Sequence, residues 1–281
     1  MAGIFSDLSS IGFGGLSNVN IFDDEDEKKK NAKQQGAATG TPQYNEVDFL
    51  FDKKVQCPVC DNEFKIKTVK TGKPHLIGSD PDLRPKYQGI DSVKYDVIVC
   101  PHCGYGALSR FFSYMTTHQA KLIHDNISVN FKGLAPTGDT YTYDDAITRY
   151  KLALLNTVVK KAKVSERAYT CLKLAWLYRG KAENLKPEEA DYAKKKEECA
   201  NAEKEMLANA YEGFMMSVSK ENFPICGMDE TTLDYLMANL AKQIGKIDEA
   251  SRIVSRILVS KTANPKIKDK ARDLKESLKT K

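Results

Sequence analysis

The sequences CPVC at residues 57–60 and CPHC at residues 100–103 decide how this chain folds. In each, two cysteines stand two residues apart, the spacing at which one tight turn presents two thiolates to a single metal ion. Two such turns together complete the tetrahedral four-sulfur shell that zinc adopts in structural sites. Because four protein ligands leave no open position for a substrate, the metal is expected to hold the fold and not to catalyse. The sequence therefore predicts one structural zinc ion, with four ligands: Cys57, Cys60, Cys100 and Cys103.

The residues around the two cysteine pairs predict short strands. Residues 63–69, EFKIKTV, alternate polar and apolar side chains, as a half-buried strand does, and residues 95–99, YDVIV, form a second strand that leads into the second pair. Residues 74–89 are polar and contain prolines, which favours an irregular loop. Strand, cysteine pair, long insert, strand and cysteine pair follow one another in the order of a zinc ribbon. We predict a zinc-ribbon-like module over residues 47–106.

The segment before this module has a different composition. Residues 1–22 scatter a few apolar side chains among glycine and serine, which predicts a short N-terminal arm. Residues 23–46 begin with an acidic run and continue with lysine, glutamine, glycine and threonine. Such a composition buries too little apolar surface to offset the conformational entropy of ordering the chain. We therefore predict a disordered linker over residues 23–46.

From residue 107 the spacing of apolar residues becomes helical. Thr116 and Gln119 have the spacing of a capping box, and further start signals follow along the chain. These signals are Asp144, Ser165, Pro187, Asp229, Asp248 and Pro265. The predicted fold class is therefore α+β and mostly α, with the small β module followed by an α-helical domain over residues 107–281.

The last helices resemble a tetratricopeptide repeat. In that family a small residue in the first helix, a glycine in the turn and an alanine opening the second helix allow close packing, and Ala238, Gly245 and Ala250 stand at matching offsets. Arrays of such hairpins form a concave surface that holds a segment of another protein. A closed bundle, in which every apolar stripe is core, is the alternative.

Composition limits the cellular setting. The chain has 281 residues, a net charge of +5 and a mean hydropathy of −0.47, and no apolar run reaches the roughly 18 residues that a membrane helix needs. The N-terminus lacks the pattern of a secretory signal. Cys171, Cys199 and Cys226 form an odd set without framework spacing, as expected of buried thiols in a reducing compartment. We expect a cytoplasmic protein without a membrane partner.

Two features of the sequence are compatible with nucleic-acid binding. Lys65 and Lys67 share one face of the strand over residues 63–69, and Tyr105 is available to stack its ring on a base. The C-terminal segment 261–281 is also rich in lysine. An ordinary solvated strand edge explains the same lysines, since lysine on an edge opposes aggregation. The modest net charge does not favour a dedicated nucleic-acid binder.

An enzymatic reading rests on the insert. His75, Asp80, Asp82 and Arg84 form a polar group that is a candidate ligand site. The sequence contains no glycine-rich phosphate loop, nucleophile elbow or histidine–carboxylate helix motif. Because no acid–base pair stands out, a non-catalytic protein is expected.

The chain resembles a family of uncharacterised bacterial proteins catalogued as domain of unknown function 2225. The resemblance covers roughly residues 47–220 and rests on residues 57–60, 80–87, 95–105, 146–153 and 165–179. It implies a zinc-knuckle module joined to helical repeats. With that architecture, we expect an adaptor that binds a partner protein through its helices. The alternative is a regulator that touches RNA or DNA through the zinc module, and the third is an enzyme with a polar site in residues 74–90.

Overall fold

The computed structural model describes residue 12 and residues 44–279 of the chain. The predicted arm over residues 1–22, Gly12 apart, and nearly all of the predicted linker over residues 23–46 lie outside the described residues. In the described part, helices predominate and short strands lie on the N-terminal side. The predicted class, α+β and mostly α, is confirmed.

Within residues 44–279, six short strands pair in sequence order as three antiparallel hairpins, β1 with β2, β3 with β4 and β5 with β6. In the first hairpin Gln56 pairs with Glu63, and in the third Val99 pairs with Gly106, so each cysteine motif lies in the turn of a hairpin. The strands are β1 Leu50–Gln56, β2 Glu63–Val69, β3 Leu76–Ser79, β4 Pro85–Tyr87, β5 Val97–Val99 and β6 Gly106–Leu108.

Two predictions about this region need correction. The insert, which the sequence predicts to be an irregular loop, contains the β3–β4 hairpin. Strand β4 begins with Pro85, and the first residue of a strand is a position that tolerates proline. The strand expected from residue 95 begins at Val97. A 3₁₀ turn over Ser92–Tyr95, capped by the Asp91 carboxylate, takes the preceding residues.

The described part of the chain contains seven α-helices. The first, α1, continues into a single π-helical turn over His124–Ser128. The helices are α1 Thr117–Ile123, α2 Tyr143–Val159, α3 Val164–Asn184, α4 Tyr192–Lys220, α5 Glu230–Gln243, α6 Ile247–Val259 and α7 Pro265–Lys279. Within residues 44–279, no helix has the length and apolar character needed to span a bilayer.

Most helix starts follow the predicted caps. Thr116 and Gln119 form the expected capping box of α1, and Asp229 caps α5 through the backbone N–H of Thr232. Two starts differ. Ser165 lies inside the first turn of α3, where its backbone N–H and hydroxyl bind the Glu221 carboxylate. Pro187 precedes a turn, and α4 begins only at Tyr192.

The first and third hairpins share the larger hydrophobic core with the helices. A continuous cluster of buried side chains extends from Cys57 in the first hairpin to Leu274 in α7. The domain boundary expected between residues 106 and 107 falls inside strand β6. At this point β6 lies close to α2, since a Cβ added to Gly106 would be 3.4 Å from the Cα of Ala153. The close approach of β6 to α2 places the second cysteine pair directly on the helices.

Candidate metal centre

The four motif cysteines converge between the first and third hairpins. The Sγ atoms of Cys57 and Cys103 are 3.5 Å apart, those of Cys60 and Cys100 are 3.6 Å apart, and all four lie within 4.8 Å of one another. A tetrahedral zinc ion with bonds of about 2.3 Å separates its sulfur ligands by about 3.8 Å. The four thiols therefore fit one tetrahedral metal ion.

Each cysteine pair is shaped by a left-handed residue directly after it. Asp61 has φ +56° and Gly104 has φ +72°. Their backbone N–H groups donate to the carbonyl oxygens of Cys57 at 2.9 Å and Cys100 at 3.0 Å, so the two turns are built alike. A Cβ on Gly104 would lie 2.6 Å from the Phe131 ring, which leaves space there for glycine alone.

Further donors face the sulfurs of the first turn. The backbone N–H of Val59 donates to Cys57 Sγ at 3.4 Å, and the side-chain amide of Asn62 donates to Cys60 Sγ at 3.3 Å. Such donors disperse the negative charge of a four-thiolate site. They are the outer contacts expected of a structural metal centre.

The thiols also share protons among themselves. Hydrogen bonds from the Cys103 and Cys57 thiols lower the pKa of Cys100, so that Cys100 carries the first thiolate. Donating to the Cys100 sulfur raises the pKa of the Cys57 thiol to about 12, and the corresponding hydrogen bond from Cys103 raises the pKa of that thiol as well. Without a metal ion the cluster thus retains protons at neutral pH, which a bound cation would displace.

The second turn is fixed to the helices by buried contacts. The Asn156 amide of α2 donates to the carbonyl of Gly104 at 3.1 Å. Tyr105 is fully buried, its hydroxyl donates to the carbonyl of Phe112 at 3.0 Å, and Lys160 lies 5.6 Å above its ring. The expectation that Tyr105 offers a ring for stacking on a base is therefore wrong, because the core encloses it.

The lysines of the proposed nucleic-acid face lie on β2 as expected, among charges of both signs. Lys67 pairs across the hairpin with Asp52, and Lys65 pairs with Lys54, which binds Glu63 at 2.9 Å. Without Tyr105, this face is a charged strand surface that lacks the predicted aromatic platform.

Apart from His75, the polar group of the insert is brought together, with Asp82 and Arg84 buried and Asp80 half-buried. Asp82 is fully buried and Arg84 is 4% exposed. Arg84 Nη1 donates to Glu183 of α3 at 3.0 Å, and Asp80 accepts from Lys86 at 2.8 Å. Burial raises the pKa of Asp80, but Lys86 and Arg179 outweigh this effect and hold the pKa below its ordinary value.

Arg179 of α3 is the centre of this group, and sequence reasoning missed it. Its guanidinium binds Asp82 and Asp80, and it reaches Glu203 of α4 at 2.7 Å and Gln243 of α5 at 2.9 Å. The carboxylates of the insert are thus already paired and clamp the β3–β4 hairpin to three helices. His75 is exposed and, among the described residues, its side chain joins none of these contacts.

The other three cysteines are separate from the metal centre. Cys171 and Cys199 are buried in α3 and α4, and Cys226 is half-buried in the loop before α5. All seven cysteines of the chain lie in the described range and are free thiols.

Comparison with known proteins identifies the family. The family described as "Uncharacterized protein conserved in bacteria (DUF2225)" matches residues 50–278. This range includes both cysteine-containing turns and nearly all of the helices. The chain belongs to this family. In this member of the family, four converging cysteines and a helical region lie in one folded unit.

A curated relative matches about half of the chain. An "Uncharacterized protein" of Borreliella burgdorferi (strain ATCC 35210) is 23% identical over 166 residues, covering 51% of this chain and 56% of the relative. The chain thus spans little more than half the length of that relative. No solved structure matches the chain.

Proposed function

We propose that this DUF2225 chain is a non-catalytic, zinc-stabilised cytoplasmic protein whose tetratricopeptide-like helical region binds a partner protein. Zinc is the metal that fits best, because four thiolates in a tetrahedral arrangement are its preferred structural shell. Seven free thiols suit a reducing compartment. The close packing of α5 against α6, with Ala238 and Ala250 fully buried, supports the repeat-like reading.

An exposed apolar patch on α4 is the observation that carries the partner-binding proposal. Met215 and Val218 are 47% and 40% exposed and stand three residues apart, on one face of the helix. Phe223, 38% exposed, follows just after the helix end. We call Met215, Val218 and Phe223 the α4 patch. Exposed apolar side chains that share a helix face, as Met215 and Val218 do, mark interaction sites more often than single exposed ones.

The segment that carries the patch is held in place. Glu221 accepts from the backbone N–H of Ser165 at 2.9 Å and from the Ser165 hydroxyl at 2.6 Å, which ties the end of α4 to the start of α3. Arg110 adds a contact to the carbonyl of Cys226 in the same loop. A partner would therefore meet a preformed surface.

The test is affinity capture of the tagged full chain from its native host, followed by mass spectrometry. We compare the wild type with the double variant M215K/V218K and with V259K, which adds a lysine at an exposed valine of α6. The proposal predicts a protein recovered with the wild type and V259K and lost with the double variant. Recovery unchanged by the double variant, or no protein recovered above the tag control, would contradict it.

A further inference from the structure

An open cleft lies between the β1–β2 hairpin and α3. Its volume is about 890 Å³, within the range of about 300–1,000 Å³ that is typical of small-molecule sites. Tyr169, Lys173 and Trp176 line it from α3, at spacings that place them on one face of that helix. The cleft is separate from the α4 patch and from the polar contacts of Arg179.

Aliphatic side chains make up much of the wall. Val55 and Ile66 come from the first hairpin, Leu83 comes from the insert, and Val93 and Ile98 come from the segment around β5. Such a lining favours a ligand with an apolar chain or ring.

Two hydrogen-bond donors in this wall lack partners. Trp176 is only 3% exposed, and its Nε1 is buried with no hydrogen-bond acceptor among the described residues. The same holds for Oγ1 of Thr68 on β2. A buried donor without an acceptor is costly, and an acceptor oxygen that reaches these two atoms from the cleft would remove that cost.

The Lys173–Asp96 pair in the cleft wall favours an acceptor over a cation. Lys173 pairs with Asp96, whose other carboxylate oxygen accepts from the hydroxyl of Ser109. The carboxylate is therefore occupied on both oxygens. The Lys173 ammonium has three donors and lies 4.8 Å above the Tyr169 ring, so it retains capacity to donate.

The insert wall is held in advance of any ligand. Leu83 adopts φ +70°, a conformation that residues with a side chain rarely take. Its neighbours on both sides are fixed, since Asp82 binds Arg179 and Arg84 binds Glu183. The surrounding ion pairs thus maintain a strained residue in the cleft wall, as is common at binding sites.

We propose that this cleft binds a small organic molecule whose apolar chain or ring ends in carbonyl or carboxylate oxygens. The apolar part lies against the aliphatic wall, and the oxygens accept from Trp176 Nε1 and Thr68 Oγ1 with Lys173 nearby. Binding involves no covalent step.

Trp176 is the only tryptophan of the chain, so its indole N–H resonance can be assigned to the cleft without ambiguity. In protein labelled with ¹⁵N-tryptophan, one indole N–H resonance reports on the proposed hydrogen bond. We titrate the metal-loaded full chain with octanoate, octanamide and octylamine, which share a chain length and differ in the head group. The proposal predicts a saturable shift with octanoate or octanamide and none with octylamine. Tighter binding of octanoate would indicate a carboxylate ligand, and tighter binding of octanamide would indicate a ligand with a neutral carbonyl group.

Variants of Thr68 provide the control for folding. Valine is well accepted in a strand, so T68V removes the hydroxyl with little effect on β2, whereas T68S retains it. We expect T68V to weaken binding about five- to tenfold and T68S to bind like the wild type. Three results would overturn the proposal. The first is the absence of an indole shift with either acyl compound up to about 20 mM. The others are an equal shift with octylamine and equal binding by T68V and the wild type.

Discussion

The guanidinium of Arg179 faces the carboxylate of Asp82 edge to edge, with Nη2 2.6 Å and Nη1 3.1 Å from its two oxygens. Asp82 is fully buried. The two residues are 97 positions apart in the sequence, and their contact fixes the insert between the cysteine pairs to the helical region. A bidentate pair of this kind gives geometric specificity that a lysine would not provide.

Removing the arginine should destabilise the whole protein. In R179A the Asp82 carboxylate loses its main partner while staying buried, and we expect the free energy of unfolding to fall by about 3–5 kcal/mol. The matched control is R272A, which breaks the exposed pair of Arg272 with Asp269 and should cost about 0.5 kcal/mol or less. Urea denaturation of both variants measures the difference, and equal effects would contradict the role given to Arg179.

The hydroxyl of Tyr150 should contribute measurably to stability. It is fully buried in α2 and donates to the carbonyl of Val93 at 2.8 Å, just before β5. In Y150F that carbonyl loses its donor, and we expect a loss of about 1–2 kcal/mol in thermal or urea unfolding. Y114F, at a tyrosine that is 76% exposed, should leave stability unchanged. A neutral Y150F would show that this contact does not hold the third hairpin to α2.

Glycine at position 104 should be required for metal binding. In G104A the new Cβ meets the Phe131 ring at 2.6 Å in addition to the strain of φ +72°. G133A carries a comparable strain at φ +92° but meets no atom within 4 Å. We expect G104A to bind metal at least about tenfold more weakly than G133A, since even a ~1.4 kcal/mol distortion has that effect. A competition titration with a chromophoric chelator measures both, and equal affinities would contradict the steric explanation.

Metal binding should release protons and should weaken in acid. Because the pKa of Cys57 is raised to about 12 and that of Cys103 is also raised, both thiols hold protons at pH 7 before the metal arrives. All ligands must be thiolates in the metal complex. We therefore expect zinc binding at pH 7 to release at least the protons of Cys57 and Cys103, with affinity falling as the pH falls. Calorimetry in buffers of different ionisation enthalpy counts them, and a count near zero would contradict the thiol assignment.

Local patterns predicted the parts of the fold that local forces determine. The alternation of residues 63–69 gave the bounds of β2, and Thr116 and Asp229 cap the helices expected of them. The cysteine spacing predicted the convergence of four sulfurs, because a tight turn and a tetrahedral ion leave few other arrangements.

Long-range contacts determined what the sequence could not show. Serine is a residue type that often caps a helix, yet the Ser165 hydroxyl binds Glu221, 56 residues away. The packing of α4 on α3 brings that carboxylate within hydrogen-bond distance of Ser165. Tyr105 looked available beside the second cysteine pair and is enclosed by α2 and Phe112. Arg179 carried no local signal, since only the folded chain places it against the insert.

The elemental content of the purified full chain tests the central claim most directly. We predict about one zinc ion per chain in the wild type and in C199A, whose buried cysteine lies outside the centre. In C57A we predict a loss of the metal together with a lower melting temperature. A wild-type protein without zinc, or a C57A variant that keeps the metal content and melting temperature of the wild type, would contradict it.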